Sequence, residues 1–329
     1  MSLFFRNRYY YISYMKKTCE VVSKMIKEMF LDLAIGKEPF IVKMINKAGK
    51  EKVTSPVEFR EKERDWLLNQ ETKTVSVLAD DGTRLYGHML NNPYAKRIVI
   101  MFHGWRGTWD KDCGAIGKGF YEQDSSVLFI EQRAHGESGG EYIGFGMLER
   151  YDCKRWVEYV NGNYPDIPIY LAGVSMGAAT VLMASELELP MVKGIIADCG
   201  YTSAYEMVSR FPRVMMHMKA TKLVQAVNKL CKKKAGYCFN DIDITKVMKN
   251  CKIPVLFVHG KDDAFVPMEM SCRNYKACGA KKKLFLVNGA DHLQSYLVSP
   301  KKYISEVKSF FNWNVANVTN VNAKDAMPA

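Results

Sequence analysis

The sequence lacks the cysteine spacings that organise a disulfide framework or a structural zinc site. Its nine cysteines are odd in number and scattered over 329 residues, and no two of them form a C-x-x-C pair. This usage predicts reduced thiols, no metal ion and a cytoplasmic protein.

The N-terminal segment also lacks the features of a membrane span or a signal peptide. The stretch MSLFFRNRYYYISYMKK is interrupted by Arg6 and Arg8. No run of about 18 apolar residues follows it, and it has no A-x-A-like cleavage site. Two interpretations stay open: an arm that packs on the body or frays, or a basic, aromatic segment that makes a peripheral membrane contact.

Acidic residues are missing from 213–234, which holds one arginine and six lysines in a chain of net charge +12. A basic run of this kind suits nucleic acid, an anionic membrane or an acidic substrate. No nucleic-acid-binding fold signature accompanies it, so we expect no nucleic acid partner. A solvated helix face is the alternative interpretation.

The apolar content of 48% is enough for a buried core, and the chain length fits one large domain or two modest ones. Residues 16–70 have helical periodicity with a stop at Gly36. We therefore expect an N-terminal helical extension over 1–70. Two β-prone runs flank Asp81 and Gly82 and predict a hairpin.

From there, short apolar runs alternate with amphipathic or glycine-bounded segments. This alternation predicts an α/β fold, a mostly parallel sheet covered by helices on both faces, with functional groups at the carboxyl ends of the strands. The runs are RIVIMFHG, SVLFIEQR, IPIYLAGVS, VKGIIADCG, IPVLFVHG and KKLFLVNGA.

One interval is much longer than a usual α/β connection. Residues 203–248 are helix-prone and rich in Met and Lys, and we interpret them as an inserted helical cap that shapes an apolar pocket. An additional helical layer without a substrate role is the alternative. The remaining boundaries are a core over 71–202 and 249–312, and a polar, frayed tail over 313–329.

The stretch GVSMG places Ser175 after a predicted strand and before a predicted helix. With 17 serines in the chain and glycine near its average frequency, G-x-S-x-G arises by chance about 0.08 times per chain. A serine on a strand-to-helix turn needs small neighbours and faces the positive end of the helix dipole. The pattern therefore indicates a nucleophile elbow, with an ordinary turn serine as the alternative.

A serine hydroxyl needs a base to take its proton, and the base needs an orienting carboxylate. His292 follows the last apolar run, in a loop before the C-terminal helix, and is the best-placed of the six histidines. Asp262 and Asp263 follow another strand and are both candidates for the carboxylate, with a helix N-cap as the alternative role.

Taken together, the chain resembles the α/β-hydrolases over residues 72–312. Within them it is similar to bacterial serine hydrolases related to cinnamoyl esterases, monoacylglycerol lipases and serine-aminopeptidase-like proteins. The family's HG-x-x-D-x-x-V-P motif implies that Asp263 is the acid, in the order Ser175, Asp263, His292. The matching stretches are FHGWRG, EQRAHGESGG, GVSMGAA, HGKDDAFVP and GADH.

The resemblance also implies an oxyanion hole built from the backbone N–H groups of Trp105 and Met176. Two residues depart from the family's D-x-R-G-x-G-x-S loop, where Glu131 and Ala134 replace aspartate and glycine. Glu149 and Asp152 are expected to be structural partners of Arg133. The expected substrate pocket is lined by His103, Gly104, Trp105, Tyr201 and Met207.

The expected function is that of a serine hydrolase that cleaves carboxylic esters through an acyl-enzyme intermediate. This chemistry needs a small-molecule ester and no metal or organic cofactor. Small-peptide amides or thioesters are alternative substrates of the same triad. A hydrolase-fold protein whose role is binding is the alternative from another class.

Overall fold

The computed structural model describes residues 20–37, 39, 55–216 and 221–313. The N-terminal aromatic arm, His217 and the tail beyond residue 313 lie outside the described residues. A mixed sheet of eight strands lies at the centre of the described chain. The strands are β1 (Lys73–Leu78), β2 (Arg84–Leu90), β3 (Arg97–Phe102), β4 (Ser125–Glu131), β5 (Ile169–Val174), β6 (Val192–Asp198), β7 (Val255–Gly260) and β8 (Lys282–Val287).

The sheet is parallel except at one edge, as the alternating pattern predicts. Its strand order is β1-β2-β4-β3-β5-β6-β7-β8, with antiparallel pairing of β1 with β2 and of β2 with β4. Every residue of β3, β4, β5 and β7 is buried, which explains their continuous apolar runs. The hairpin closes with Leu78 opposite Arg84, and Gly82 has a φ of +80° in its turn.

Helices cover both faces of the sheet, and each face has its own apolar cluster. One cluster contains Trp156, Leu182 and Met248, and the other contains Phe120 and Val307. The helices are α1 (residues 20–35), α2 (Ser55–Leu68), α3 (Trp109–Tyr121), α4 (Glu149–Asn163), α5 (Met176–Ala184), α6 (Ala204–Met216), α7 (Thr221–Ala235), α8 (Ile244–Asn250), α9 (Met268–Ala277), α10 (Ser295–Val298) and α11 (Pro300–Phe311).

The described part of residues 1–70 packs directly on the sheet domain. Leu67 of α2 is fully buried in the cluster beside α3, and Arg64 Nε donates to Asp110 Oδ2 at 2.7 Å. Helix α1 ends where predicted, and Gly36 then forms a β-bridge with Tyr142. Both helices are therefore attached to the sheet domain by buried contacts.

The long interval between β6 and β7 is helical, as predicted, and contains α6, α7 and α8.

The predicted start of the tail is wrong by one residue. Trp313 is buried, with its ring 5.8 Å from that of Phe120 and 4.4 Å from the Arg97 guanidinium carbon. In the described ranges, no helix combines the length and the apolarity that crossing a membrane requires.

The packing of α2 on the core can be tested by comparing two adjacent leucines, one buried and one exposed. Leu67→Ala removes a fully buried side chain, whereas Leu68 is 51% exposed on the same helix. We expect Leu67→Ala to lower the free energy of unfolding by about 2–5 kcal/mol and Leu68→Ala to change it by less than about 0.5 kcal/mol. Urea denaturation measures both. Equal small losses would contradict the packing of α2 on the core.

Candidate active site

Ser175 lies on a strained turn between β5 and α5. Its backbone has φ 54° and ψ −113°, a conformation that L-residues rarely adopt and that surrounding packing must hold. The Ser175 N–H donates to the Asp198 carbonyl at 2.9 Å, which ties the turn to the end of β6. The turn places the serine at the carboxyl edge of the sheet, beside the first N–H groups of α5.

The two glycines of the G-x-S-x-G stretch are required by close backbone approach. A Cβ at Gly173 would lie 2.3 Å from the carbonyl carbon of Gly177, and a Cβ at Gly177 would lie 2.0 Å from the Phe102 carbonyl oxygen. The structure therefore explains the expected need for small neighbours, because a larger side chain would collide with the helix or a strand. The helix passes so close to β3 and β5 that only glycine fits at either position.

His292 reaches Ser175 from the loop that follows β8. Its Nε2 lies 3.0 Å from Ser175 Oγ and its Nδ1 lies 2.7 Å from Asp263 Oδ2. The network assigns Nδ1 as the donor to the carboxylate and Nε2 as the acceptor of the serine hydroxyl. Asp291 joins the two loops, because its Oδ1 accepts from the N–H groups of His292 at 2.7 Å and of Ala264 at 3.1 Å.

Asp263 is held as a buried carboxylate by several donors. Its Oδ1 accepts from the N–H groups of Phe265 at 2.9 Å and Val266 at 2.7 Å. Burial alone would raise the pKa of Asp263, but hydrogen bonds from His259 and His292 lower it to about 2. Asp262 is exposed, so the structure distinguishes the two candidates that spacing left open. Neither aspartate is the N-cap of α9, where Pro267 stands.

His259 was not singled out by the sequence analysis, yet it contacts Asp263. Its Nε2 lies 3.2 Å from Asp263 Oδ2 and 2.9 Å from the Val266 carbonyl, which can only accept. Its Nδ1 lies 2.7 Å from Ser271 Oγ. The signal was available in the sequence, because the histidine of "VHGKDD" ends the same strand that delivers the acid.

The turn after β3 lies against the nucleophile. A methyl group at Gly104 would come within 3.4 Å of Ser175 Cβ, and the Gly104 N–H donates to Asp112 Oδ2 at 2.9 Å. Burial raises the pKa of Asp112. Asp112 was not among the site residues expected from the sequence, yet it holds the turn that presents Trp105. Met176 begins α5 directly after the serine.

The pocket role expected of His103 is wrong. The ring is fully buried, its Nδ1–H donates to the Gly104 carbonyl at 2.7 Å, and its Nε2 accepts from the Gln132 N–H at 3.2 Å. Burial lowers the pKa of His103, which keeps this neutral form at neutral pH. The buried side chain therefore holds the turn after β3 in place and does not line a pocket.

Three other expected pocket residues are buried or partly buried and contact the protein interior. Tyr201 and Met207 are buried in the core, and the Tyr201 hydroxyl donates to the Phe145 carbonyl at 2.9 Å. Trp105 is partly buried, and its indole Nε1–H donates to the Ala34 carbonyl of α1 at 2.9 Å. Burial of Tyr201 and Met207 corrects the expectation that they lie open to substrate.

The acids proposed as partners of Arg133 have different roles. Asp152 binds the guanidinium with two hydrogen bonds of 2.6 Å. Glu149 instead accepts from the N–H groups of Gly144 at 2.6 Å and Gly146 at 2.7 Å. The expected pairing is therefore confirmed as a hydrogen-bonded contact for Asp152. Glu149 interacts with Arg133 through its charge, while its hydrogen bonds hold the preceding loop.

The two departures from the family loop are accommodated locally. Ala134 stands where the family has glycine. Its φ is 58°, a conformation that is strained for alanine. Glu131 accepts from His88 Nε2 at 2.9 Å and from the Glu137 N–H at 2.6 Å.

The described residues contain one cluster with metal-ligating atoms, and it overlaps the candidate triad. Ligand atoms of Cys199, Asp263 and His292 lie within 4.8 Å of one another. Burial raises the pKa of the Cys199 thiol far above its usual value, and the other two groups are already hydrogen-bonded to each other. The donor set therefore fits a proton-transfer site better than a metal site. None of the eight described cysteines forms a disulfide.

Comparison with known proteins agrees with this architecture. The family model described as "Serine aminopeptidase, S33" matches residues 93–238. A Pyrococcus furiosus esterase, Pf2001, superposes with a TM-score of 0.62 at 23% identity, covering 74% of this chain and 92% of that one. The chain has the α/β-hydrolase fold.

Further known proteins are similar at low sequence identity. Est1E of Butyrivibrio proteoclasticus, solved with ferulic acid, has a TM-score of 0.56 at 20% identity over 72% of this chain and 98% of its own. The uncharacterized protein YqkD of Bacillus subtilis (strain 168) is 26% identical over 59% of this chain. The match spans 64% of YqkD, slightly under two thirds of its length. Protein bem46 of Schizosaccharomyces pombe is 22% identical, with coverages of 72% and 73%.

The low pKa of Asp263 predicts a specific dependence of stability on pH. A carboxyl with a pKa of about 2 when folded, below its unfolded value, stabilises the fold above that unfolded value. The stabilisation is lost as the pH falls towards 2. We expect the difference in unfolding free energy between the wild type and Asp263→Asn to shrink by roughly 2–3 kcal/mol between pH 6 and pH 2. Chemical denaturation across this pH range measures it.

Asp262→Asn is the matched control, because it makes the same charge change at the exposed neighbour. Its difference from the wild type should vary by less than about 1 kcal/mol over the same range. Parallel pH profiles for the two variants would contradict the buried, hydrogen-bonded state of Asp263.

Proposed function

We propose that this protein is a serine hydrolase that cleaves carboxylic esters through an acyl-enzyme intermediate. The observation that carries the proposal is the continuous hydrogen-bonded series from Ser175 Oγ through His292 to Asp263, with distances of 3.0 and 2.7 Å. These distances fit a nucleophile, a base and an orienting acid.

In the proposed reaction, His292 Nε2 takes the hydroxyl proton as Ser175 Oγ attacks the ester carbonyl. Asp263 stabilises the imidazolium that forms, since its low pKa keeps it charged. His292 then protonates the leaving alcohol, and a water molecule deprotonated by His292 releases the acid. No step in this sequence requires a metal or an organic cofactor.

The oxyanion is proposed to bind the backbone N–H groups of Met176 and Trp105. Met176 begins α5, and the first N–H groups of a helix have no acceptor within the helix. Trp105 follows Gly104, which packs against Ser175. Two donors at this position would stabilise the tetrahedral intermediate more than the ground state.

Ester cleavage is supported by the similarity in fold to the Pyrococcus furiosus esterase Pf2001. Amide cleavage on the same triad is the second candidate, because the matching family model describes a serine aminopeptidase. Parallel assays with esters, thioesters and aminoacyl p-nitroanilides separate these substrate classes.

The first test is hydrolysis of p-nitrophenyl esters from acetate to palmitate by the wild type and by Ser175→Ala. We expect the variant to lose about 10⁴-fold or more of kcat, because the acyl-enzyme cannot form. A fluorophosphonate probe should label the wild type and spare the variant. The chain-length profile would also define the size of the acyl pocket.

Ser305→Ala is the control, since Ser305 is exposed on α11 and should keep full activity and labelling. Absence of turnover and of labelling in the wild type would reject the hydrolase proposal. The protein would then be a hydrolase-fold binding protein.

A second prediction concerns the turn after β3. Asp112→Ala removes the acceptor of the Gly104 N–H and should let the turn drift from the oxyanion. We expect kcat to fall by roughly 10- to 100-fold with little change in KM, a smaller loss than deletion of a donor. Asp112→Asn keeps an oxygen acceptor and should recover most of the rate. Equal loss in both variants would contradict this positioning role.

A further inference from the structure

Helix α1 exposes an apolar stripe to solvent. Five of the ten strongly exposed large hydrophobic side chains in the described residues belong to this one helix and are 44–62% exposed. They recur at three- and four-residue spacing, so they share one side of the helix. The residues of the stripe are Val21, Val22, Met25, Ile26 and Met29.

The opposite side of α1 is anchored to the protein. Leu31 and Ile35 are buried in the core, and the Ile35 carbonyl accepts from the Ile143 N–H at 2.7 Å. Arg106 Nη2 donates to the carbonyls of Leu33 at 2.8 Å and Gly36 at 2.9 Å. The C-terminal end of α1 is therefore fixed to the protein, and its apolar stripe is not part of the hydrophobic core.

Helix α7 lies beside α1 and carries the positive charge. Val22 and Ile26 share a groove with Lys222 and Leu223, and Lys234 Nζ lies 4.0 Å from Glu28 Oε1. The two helices together contain seven lysines against three acids, and α7 has no acid at all. An apolar stripe bordered by exposed lysines suits a surface that is apolar inside and anionic outside.

We propose that the face formed by α1 and α7 binds the surface of an anionic phospholipid bilayer. The apolar stripe enters the boundary between headgroups and acyl chains, and the lysines of α7 contact the anionic headgroups. The preceding sequence, residues 1–19, adds four basic residues and six aromatic ones without an acid. This composition continues the same chemistry along the chain.

The helix that carries the apolar stripe also contacts the candidate active site through its anchored end. The last turn of α1 accepts a hydrogen bond from the Trp105 indole at 2.9 Å, and Trp105 is the residue whose backbone N–H is proposed to hold the oxyanion. The proposed membrane-binding stripe and the contact with the turn on which catalysis is proposed to depend therefore belong to one helix. The binding itself does not require the hydrolase proposal to be correct.

Co-sedimentation of the full chain with phospholipid vesicles tests the proposal. We expect binding at 0.1 M salt to phosphatidylcholine vesicles with 30% phosphatidylglycerol and little binding to pure phosphatidylcholine. Raising the salt to 0.5 M should weaken it, because lysine–headgroup attraction is screened. Lys222→Gln/Lys229→Gln/Lys233→Gln should lower the partition coefficient roughly 100-fold, and Met25→Ser/Met29→Ser at least tenfold.

Matched controls change the same residue types elsewhere on the surface. Lys252→Gln/Lys276→Gln/Lys301→Gln removes three exposed charges, and Leu78→Ser/Tyr94→Ser removes two exposed large side chains. Both should bind like the wild type. Thermal unfolding, monitored by circular dichroism, verifies that every variant is folded.

Three results would overturn the proposal. One is no binding of the wild type to the anionic vesicles, and another is equal losses in the α1/α7 variants and the controls. The third is self-association without vesicle binding, detected by analytical ultracentrifugation and abolished by Met25→Ser/Met29→Ser. That result would make this face an interface between two copies of the chain. Ester hydrolysis by the same preparations separates failure of this proposal from failure of the proposed function.

Discussion

The candidate active site depends on one backbone constraint, the turn at Ser175. The residue is held at positive φ because α5 must start directly against the ends of β3 and β5. Gly173 and Gly177 permit this approach, since any Cβ there would overlap backbone atoms. The same packing points the serine hydroxyl away from the core and orients the start of α5 towards it. The rigid strand and helix thus hold the Ser175 hydroxyl in a more precise position than a flexible loop could.

The acid and the base reach the serine from two separate loops, and a small polar network keeps them in register. Asp291 binds the N–H groups of both loops, and the Asp262 N–H donates to the Ala290 carbonyl at 3.0 Å. Asp263 remains charged because donors from the backbone, His259 and His292 compensate its burial. Such a network is costly when incomplete, so its full satisfaction rigidifies the geometry.

The N-terminal helices connect the surface of the protein to this site. Helix α2 fills the core beside α3, whereas α1 packs only through one side and through its last turn. That last turn is held by Trp105 and Arg106, the residues that follow Gly104. A segment that has no counterpart in the sequence motifs therefore contacts the turn nearest the nucleophile. It also presents the largest concentration of exposed apolar side chains on a single described helix.

Much of the fold could be predicted from the sequence, because the patterns that indicate its strands and turns each involve only neighbouring residues. Apolar runs of the length of buried strands, the hairpin at Gly82 and the glycines around Ser175 each record a constraint within a few neighbouring residues. The order of motifs along the chain, together with the resemblance to the α/β-hydrolases, also predicted that Ser175, Asp263 and His292 would meet at one edge of the sheet. The distances that join them agree with that expectation, although their catalytic roles stay a prediction.

Only the tertiary structure decided which side chains share that edge and which are buried beneath it. His103 and Tyr201 follow strand ends and Met207 lies in the next helix, but packing against distant segments buries all three side chains. Asp112 acts through a hydrogen bond to the turn that precedes its helix, a contact that no sequence motif indicated. The sequence determined the elements and the residue types at their ends. Three-dimensional packing determined burial, partners and charge, because these depend on atoms that are remote along the chain.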